Sequence, residues 1–286
     1  RDDPGRAPVR TGHPAHALIP APILILALAA AFALPAPGGA EPRTSGPLRM
    51  QAATCAVPQG LLDLKAALPR TARLLAHGAP LRVVALGSSS TAGTGASSPE
   101  HSYPSEFAAA LGRRYPKSPI TVYNAGRGGE LVADMLKRLK RDVLDRAPDL
   151  VIWQVGTNAV LRGTSPAKID RGIHTGLIDL KAAGIDVVVM DPQYAPKVLA
   201  KADHDEIVAE VGREARANDD GLFQRYRIMR YWLDSGRFDV SRMLSPDQLH
   251  MNDASYRCVG ILLARAIAAT IDRIPAGPGA IRASRP

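Results

Sequence analysis

Short apolar segments alternate with longer amphipathic segments through most of this 286-residue chain. The apolar segments contain β-branched residues and are bounded by Gly, Pro, Asn or Asp, which is typical of buried strands in a parallel sheet. They are residues 81–86, 120–123, 150–154 and 185–191. Apolar residues at three- and four-residue spacing predict helices between them. The predicted helices are residues 104–114, 130–144, 167–183, 203–218 and 253–274, and an amphipathic segment covers 61–77. Alternating strands and helices predict a three-layer α/β/α sandwich.

The N-terminal part has the pattern of an export signal. Arg6 and Arg10 precede an apolar stretch at 17–34, and residues 35–40 are small and turn-prone. This order predicts a signal peptide in residues 1–40, cleaved after Ala40, and therefore a periplasmic or secreted protein. The alternative is an uncleaved anchor that holds the protein on the membrane facing the periplasm, although Pro20 and Pro22 shorten the apolar core.

The remaining chain divides into a linker, one large domain and a tail. Residues 41–58 are rich in small residues and proline, as in a linker. We predict the folded domain over 59–274 and a flexible tail over 275–286. Cys55 and Cys258 could pair in an oxidising compartment, but the sequence does not establish the distance between them.

Composition limits the class of partner. A hydrophobic content of 46% supports a substantial core, and the formal net charge is +9. The positive charge is spread thinly, without a dense Lys/Arg block, which argues against a nucleic-acid partner. Two cysteines without ligand-like spacing argue against a structural zinc site.

The first polar motif follows the first predicted strand and contains a candidate nucleophile. Residues 87–93 read GSSSTAG, and Ser89 lies in this loop between Gly87 and Gly93. Glycine lets the backbone turn sharply and leaves a hydroxyl at the end of the strand. A phosphate-binding turn is the alternative, but the lysine of a P-loop is absent. We therefore predict that Ser89 is the nucleophile.

A second motif near the C-terminus supplies a base. Residues 247–250 read DQLH and precede the last predicted helix. A serine hydroxyl needs a base within hydrogen-bond reach, which His250 could provide, and Asp247 could orient the imidazole. In the alternative interpretation, Asp247 forms a turn and His250 is a surface residue.

Two further motifs offer hydrogen-bond donors to a developing oxyanion. Residues 124–129 read NAGRGG and residues 156–158 read GTN, each after a predicted strand. Gly129 could donate its backbone N–H, and Asn158 could donate its side-chain amide. Gly126 or Gly128 could replace Gly129 if the register is shifted, and ordinary turns are the alternative for each motif.

Taken in order, these four motifs resemble those of the GDSL or SGNH hydrolase family across nearly the whole predicted mature chain. The resemblance implies a parallel, flavodoxin-like sheet (the SGNH hydrolase fold) and an oxyanion hole formed by Ser89, Gly129 and Asn158. Three positions depart from the family pattern. Ser88 replaces an aspartate, Ser90 replaces a hydrophobic residue, and Ala159 replaces a second aspartate.

The resemblance implies a bacterial, exported serine esterase that works through an acyl-enzyme without a metal or cofactor. We expect short acyl groups, such as acetyl esters of carbohydrate, to be the substrates, and Tyr194 to be a pocket wall. Carbohydrate, lipid or other small esters are the expected binding partners, with membrane association only through the N-terminal segment. A lysophospholipase or thioesterase of the same family is one alternative. A noncatalytic polysaccharide-binding envelope protein is another.

Overall fold

The computed structural model describes residues 55–273 and contains a single five-stranded sheet in that part of the chain. The strands are β1 (Leu81–Gly87), β2 (Ile120–Gly126), β3 (Leu150–Gln154), β4 (Asp186–Met190) and β5 (Gly221–Phe223). Their order is β2-β1-β3-β4-β5, and every neighbouring pair is parallel. This order is the flavodoxin-like one, because the chain reverses direction across the sheet between β1 and β3. The predicted fold class is confirmed.

Helices connect the strands and cover the sheet. The α-helices in the described part are α1 (Pro69–Ala76), α2 (Ser89–Ala92), α3 (Tyr103–Arg114), α4 (Val132–Lys137), α5 (Leu139–Asp142), α6 (Thr157–Arg162), α7 (Pro166–Ala182), α8 (Pro196–Leu199), α9 (His204–Ala217), α10 (Arg225–Asp234), α11 (Val240–Met243) and α12 (Asp253–Asp272). Short 3₁₀ turns occupy Gln59–Leu62, Pro99–His101 and Leu144–Arg146. Helices α3 and α12 pack against each other, as do α7 and α9. Right-handed crossovers place these two pairs on opposite faces of the sheet.

The core is formed by strands that are buried on both faces. Every residue of β3 is buried, and its Trp153 ring is fully enclosed. Helix α12 is long and apolar enough to cross a membrane by length and composition, but 67% of its most apolar window is buried inside the domain. It therefore serves here as a core helix, with its apolar side chains packed in the main hydrophobic cluster.

One predicted helix needs correction, and two elements were not predicted. The helix predicted over 130–144 is broken into α4, α5 and a 3₁₀ turn, and the first break falls at Arg138. The Arg138 side chain turns inward there and is only 5% exposed. Strand β5 and helix α10 were not predicted. Three strand residues give little periodic signal. Helix α10 was overlooked although Tyr226, Met229 and Trp232 recur at helical spacing and are buried.

The described part begins with a cross-link between distant segments. Cys55 and Cys258 form a disulfide across 203 residues of sequence, and both cysteines are buried. The indole N–H of Trp232 also donates a hydrogen bond of 3.3 Å to the Cys55 carbonyl. The predicted signal segment, most of the predicted linker and the predicted tail lie outside the described residues, so these assignments stay predictions.

Candidate active site

Polar motifs meet at one edge of the sheet because the carboxyl ends of parallel strands are neighbours. The end of β1 pairs with the end of β2 through Gly87 and Gly126. On its other side β1 pairs with β3 through Leu86 and Trp153. The loops that follow β1, β2 and β3 therefore lie side by side, and they carry the three Gly-containing motifs.

Ser89 is the first residue of α2, a single helical turn that ends at Gly93 in the left-handed conformation, with φ of 93°. The Ser89 hydroxyl lies 2.8 Å from Nε2 of His250. Ser88 and Ser90 are 2% and 1% exposed, whereas Ser89 is partly exposed. Of the three consecutive serines, only Ser89 therefore combines solvent access with a base.

Ser88 faces a buried glutamine instead of the site. Its N–H and its hydroxyl each donate a hydrogen bond of 3.0 Å to Oε1 of Gln154. The hydroxyl of Thr91 donates to the same oxygen at 3.3 Å, and it also lies 3.0 Å from the Tyr103 hydroxyl. The residue that replaces the family's aspartate thus belongs to a neutral hydrogen-bond network beneath the nucleophile loop.

The base is oriented by a short loop that carries its own carboxylate. Oδ1 of Asp247 accepts hydrogen bonds from the N–H groups of Leu249 and His250, at 3.0 and 2.9 Å. Its Oδ2 accepts from Nδ1 of His250, which leaves Nε2 to accept the proton of Ser89. Partial burial raises the pKa of Asp247, but these hydrogen bonds outweigh it and hold the pKa below the ordinary value. The carboxylate therefore stays ionised at neutral pH.

The loop that carries His250 is held at both ends. Leu244 and Met251 form an antiparallel bridge, and the Ser245 N–H donates a 2.8 Å hydrogen bond to the His250 carbonyl. Gln248 adopts a positive φ of 57°, which lets the loop turn tightly between Asp247 and His250. Local geometry therefore fixes the imidazole before any substrate is present.

Both predicted oxyanion donors lie in segments that follow neighbours of β1, with Gly129 in the loop after β2 and Asn158 in the first turn of α6 after β3. Nδ2 of Asn158 donates one hydrogen bond, of 2.9 Å, to the Glu130 carbonyl, which leaves its second N–H for another acceptor. Gly129 has a φ of 77°, a conformation that L side chains rarely adopt. Gly128 is also close, since a Cβ built there would lie 4.0 Å from the Ser89 Cβ. The oxyanion roles of these residues stay predictions.

The third predicted oxyanion donor is the backbone N–H of Ser89. It is the first residue of α2, and the N–H groups of a first helical turn have no acceptor inside the helix. This N–H is therefore available on the same residue that supplies the hydroxyl. The predicted oxyanion donors therefore come from three separate segments, those that follow β1, β2 and β3.

Tyr194 lies beyond the end of β4, as its sequence position predicted. Its half-buried ring packs edge-on against Tyr226, with ring centroids 5.0 Å apart. Its neighbour Gln193 contacts two segments that carry site residues. Gln193 Oε1 accepts a hydrogen bond from Thr157 at 2.8 Å, and its Nε2 donates to the Leu249 carbonyl at 3.4 Å. The role of Tyr194 as a pocket wall stays a prediction.

One trio of carboxylates in the described part is close enough to hold a metal ion. It consists of Asp170 on α7 with Glu210 and Glu214 on α9. Glu210 is already paired with Arg213, and burial and the adjacent Asp170 raise the pKa of Glu214. The trio lies between two helices and contains none of the motif residues, so we assign it no role in the site.

Several residues around the site carried no motif and were missed by the sequence analysis. Gln154 is the last residue of a predicted strand, so its position suggested a structural role only. Glu130 and Arg138 lie within the predicted helix over 130–144, where the sequence gives neither of them a functional role. The one available signal was the polar Gln154 at the end of an otherwise apolar run, since buried polar groups need partners.

The arrangement provides the parts of a hydroxyl nucleophile with a general base. Ser89, His250 and Asp247 form an uninterrupted chain of hydrogen bonds. The segments that carry the predicted oxyanion donors follow β2 and β3, the two strands that pair with β1. This geometry can activate a hydroxyl for attack on a carbonyl carbon and stabilise the oxyanion that results.

Comparison with solved structures finds the same fold in known esterases. A two-domain esterase (CEX) active on acetylated mannans, co-crystallised with mannopentaose, matches with a TM-score of 0.61 and 21% identity over 73% of this chain. The chain spans only 55% of that two-domain protein. A lipase/acylhydrolase from Enterococcus faecalis matches with a TM-score of 0.55 and 23% identity, over 66% of this chain and 96% of that one.

A catalytic mutant of Axe2, an acetylxylan esterase from Geobacillus stearothermophilus, matches with a TM-score of 0.56 and 20% identity. The match covers 67% of this chain and 94% of that one. At these identities the likeness concerns the fold. A comparison with curated protein sequences finds no significant match.

A family model supplies the sequence-level evidence. The model of the non-GDSL lipase-like family matches residues 54–273, which is the whole described part of the chain. The family's description agrees with the departure at Ser88, where the aspartate of the GDSL pattern is missing. The predicted relationship to GDSL and SGNH hydrolases is confirmed, and the chain belongs to the non-GDSL lipase-like family.

Proposed function

We propose that this protein is a serine esterase that hydrolyses carboxylic esters through an acyl-enzyme. The observation that carries the proposal is the 2.8 Å contact between the Ser89 hydroxyl and Nε2 of His250, whose Nδ1 is bonded to Asp247. A neutral serine hydroxyl becomes an effective nucleophile when a base of this kind accepts its proton.

In the proposed reaction the Ser89 oxygen attacks the ester carbonyl carbon while His250 takes the hydroxyl proton. The carbonyl oxygen becomes an oxyanion, which the N–H groups of Ser89, Gly129 and Asn158 stabilise. His250 then returns the proton to the leaving alkoxide, and the carbonyl re-forms as an acyl-Ser89 ester. A water molecule, deprotonated by His250, attacks this ester. The bond from the acyl carbon to the Ser89 oxygen then breaks, His250 returns the proton to that oxygen, and the carboxylic acid is released.

The substrate class in this proposal is a short acyl ester, with acetyl groups on carbohydrate as the leading case. Structural neighbours that are described as active on acetylated mannans and as an acetylxylan esterase support it. The predicted export signal is consistent with it, because an exported enzyme would meet carbohydrate outside the cell.

Ester hydrolysis by the full chain tests the proposal. We expect cleavage of p-nitrophenyl acetate, and loss of about 1,000-fold or more in kcat in Ser89→Ala and in His250→Ala. Ser88→Ala and Ser90→Ala are the matched controls, and we expect each to stay within about tenfold of wild type, because neither hydroxyl contacts His250. A folded wild-type chain that is no more active than Ser89→Ala would overturn the esterase and favour a noncatalytic polysaccharide-binding protein.

Substrate choice needs a second comparison on natural linkages. The full chain is given acetylated xylan and mannan oligosaccharides, a lysophospholipid and an acyl thioester, and release of the acid is measured. We expect the highest kcat/KM on the acetylated oligosaccharides. Preference for the lysophospholipid or the thioester would replace the proposed substrate class and leave the serine mechanism in place.

Export is also part of the proposal. The Cys55–Cys258 disulfide supports it, because disulfides persist in oxidising compartments. Mass spectrometry of the protein recovered from the periplasm or medium tests this point. A mature N-terminus at Glu41 is the expected result, whereas recovery of the intact N-terminus in membranes would favour an anchored protein.

A further inference from the structure

A buried arginine joins the segments that form the oxyanion side of the site. Arg138 lies at the break between α4 and α5, and its side chain is 5% exposed. Its Nε donates to both carboxylate oxygens of Glu130, at 3.0 and 2.8 Å, and Nη2 reaches Oε2 as well. The Glu130 side chain is itself only 14% exposed. The pair therefore forms a fork-to-carboxylate clamp inside the protein.

Glu130 connects this clamp to both predicted donors. It directly follows Gly129 in the chain, so fixing its side chain limits the orientation of the Gly129 peptide. Its carbonyl accepts the 2.9 Å hydrogen bond from Nδ2 of Asn158, which aligns the amide of that residue. One ion pair thus acts on the loop after β2 and on the loop after β3.

The same guanidinium also contacts the nucleophile segment. Nη2 of Arg138 lies 3.3 Å from the Gly87 carbonyl, at the end of β1 and two residues before Ser89. The Arg127 N–H donates to this carbonyl too, at 3.0 Å, and ties it to the loop after β2. Arg138 therefore touches or orients all three segments that supply oxyanion donors.

We propose that Arg138 is a positioning residue, which through Glu130 holds Gly129 and Asn158 in the geometry that receives the oxyanion at Ser89. This inference rests on the proposed esterase function. Buried ion pairs add little net stability once desolvation is counted, whereas their fixed geometry can specify one arrangement of neighbouring loops. The contacts of Arg138 are suited to that second role.

The alternative is a purely local role in the helix break. Arg138 also donates to Asp142, four residues on, at 3.1 Å. Asp142 has further partners in Arg127 and in the exposed Arg141, so this part of the network extends to the surface. If Arg138 served only to hold α4 and α5, removing it would change stability without a specific effect on the chemical step.

The test compares kcat and KM for p-nitrophenyl acetate in full-length variants. Arg138→Lys keeps the charge but loses the bidentate geometry, and we expect kcat to fall about 10- to 100-fold, below the loss for deleting an oxyanion donor. KM is expected to stay within about twofold, because the affected donors act mainly in the transition state. Arg141→Ala, which removes a different partner of Asp142, is the matched control and should match wild type in kcat.

A second variant tests the proposal if the first one does not fold. If Arg138→Met fails to fold because Glu130 is left unpaired, the charge-balanced variant Arg138→Met/Glu130→Met removes both ends of the clamp. We expect the same fall in kcat in this double variant. An unchanged kcat in a folded Arg138→Lys or double variant would overturn the proposal, as would an equal loss in Arg141→Ala.

Failure of the esterase function is distinguishable from failure of this inference. If wild type cleaves no ester, the esterase proposal fails, and labelling of Ser89 by a fluorophosphonate becomes the readout, since its phosphoryl oxygen needs the same donors. Slower labelling of Arg138→Lys than of Arg141→Ala, by about tenfold or more, would support the positioning role. Equal labelling rates would refute it.

Discussion

At the scale of single residues, the nucleophile loop is supported by neutral hydrogen bonds. Oε1 of Gln154 accepts from the N–H and hydroxyl of Ser88 and from the hydroxyl of Thr91, and all three residues are buried. A buried donor without an acceptor is costly, so one side chain stabilises several groups at once. This network takes the place that the family's aspartate has beneath the loop.

Replacing Gln154 tests this dependence. In Gln154→Leu the buried donors of Ser88 and Thr91 lose their shared acceptor, and we expect the free energy of unfolding to fall by about 1–3 kcal/mol. Urea denaturation measures the change. The exposed Gln59, substituted to leucine, is the control and should stay within about 0.5 kcal/mol of wild type. Equal stability of both variants would mean that water satisfies the loop.

At the scale of elements, the site depends on how closely β2 and α2 approach. Gly126 ends β2, and the side-chain amide of Asn124 donates a 2.7 Å hydrogen bond to the Thr91 carbonyl on α2. A Cβ built at Gly126 would lie 2.1 Å from the Ala92 nitrogen, a backbone atom that no side-chain rotation can move. Glycine is therefore required where the strand end meets the helix that carries Ser89.

The substitution Gly126→Ala should displace α2 from β2. We expect a loss of about 1–3 kcal/mol in the free energy of unfolding from overpacking, and a fall in kcat because Ser89 moves with the helix. Thermal unfolding and ester kinetics measure the two effects. Gly112→Ala is the control, since a Cβ there meets no atom within 4 Å. Unchanged activity in Gly126→Ala would show that α2 moves without consequence.

A carboxylate at the amino end of β5, away from the candidate site, makes the stability of the folded domain depend on pH. Asp220 precedes β5, and burial raises its pKa to about 7, although Lys181 acts in the other direction. Its Oδ2 is buried and has no hydrogen-bond partner among the described residues. Between its ordinary pKa of 3.8 and about 7, the folded chain binds a proton that the unfolded chain has released. Stability from this group therefore falls as the pH rises through that window.

The variant Asp220→Asn should remove this pH dependence. We expect its Tm to exceed that of wild type at pH 8, and the difference to shrink toward pH 4, where the folded wild type is protonated and the unfolded carboxyl is close to its ordinary pKa of 3.8. Differential scanning calorimetry from pH 4 to pH 8 measures it. Asp179→Asn, at an exposed position on α7 whose carboxylate does not act on the pKa of Asp220, is the control. A parallel pH profile for Asp220→Asn and wild type would contradict the assignment.

At the scale of the whole molecule, the disulfide joins the start of the described part to its last helix. Cys55 precedes every strand, and Cys258 lies on α12, five residues into the helix that follows the His250 loop. Closing a loop of 203 residues restricts the unfolded chain strongly. The cross-link therefore stabilises the domain as a unit and not one element.

Reduction should lower the stability of the whole domain. We expect the paired variant Cys55→Ser/Cys258→Ser to lose about 2–5 kcal/mol in free energy of unfolding, with one cooperative transition retained. Chemical denaturation of the variant and of reduced wild type measures the loss. Wild type under oxidising conditions with an alkylating agent present is the control. Equal stability of reduced and oxidised chains would show that the disulfide adds nothing beyond the packing around it.

The sequence by itself determined the layered architecture and the residues with reactive chemistry. Apolar runs with turn residues at their ends mark buried strands wherever the periodicity is strong, and Ser89 stood out because it lies just beyond such an end. Asp247 and His250 stood out because a carboxylate three residues before a histidine can orient the imidazole. The three-residue β5 was missed because so short a run cannot be distinguished from a loop. Helix α10 was overlooked although its buried residues recur at helical spacing, with arginines between them.

Only the tertiary structure decided which partners these residues have. Ser89 and His250 are 161 positions apart in sequence, and they meet at 2.8 Å because the loop from Asp247 to His250 folds against the carboxyl edge of the sheet. The same assembly of strand ends decides three further features. It buries Ser88 and Ser90, makes Gln154 an acceptor for Ser88, and brings Arg138 to the Gly87 carbonyl. Local propensity acts over a few residues, whereas hydrogen bonds between distant segments exist only after the strands have assembled.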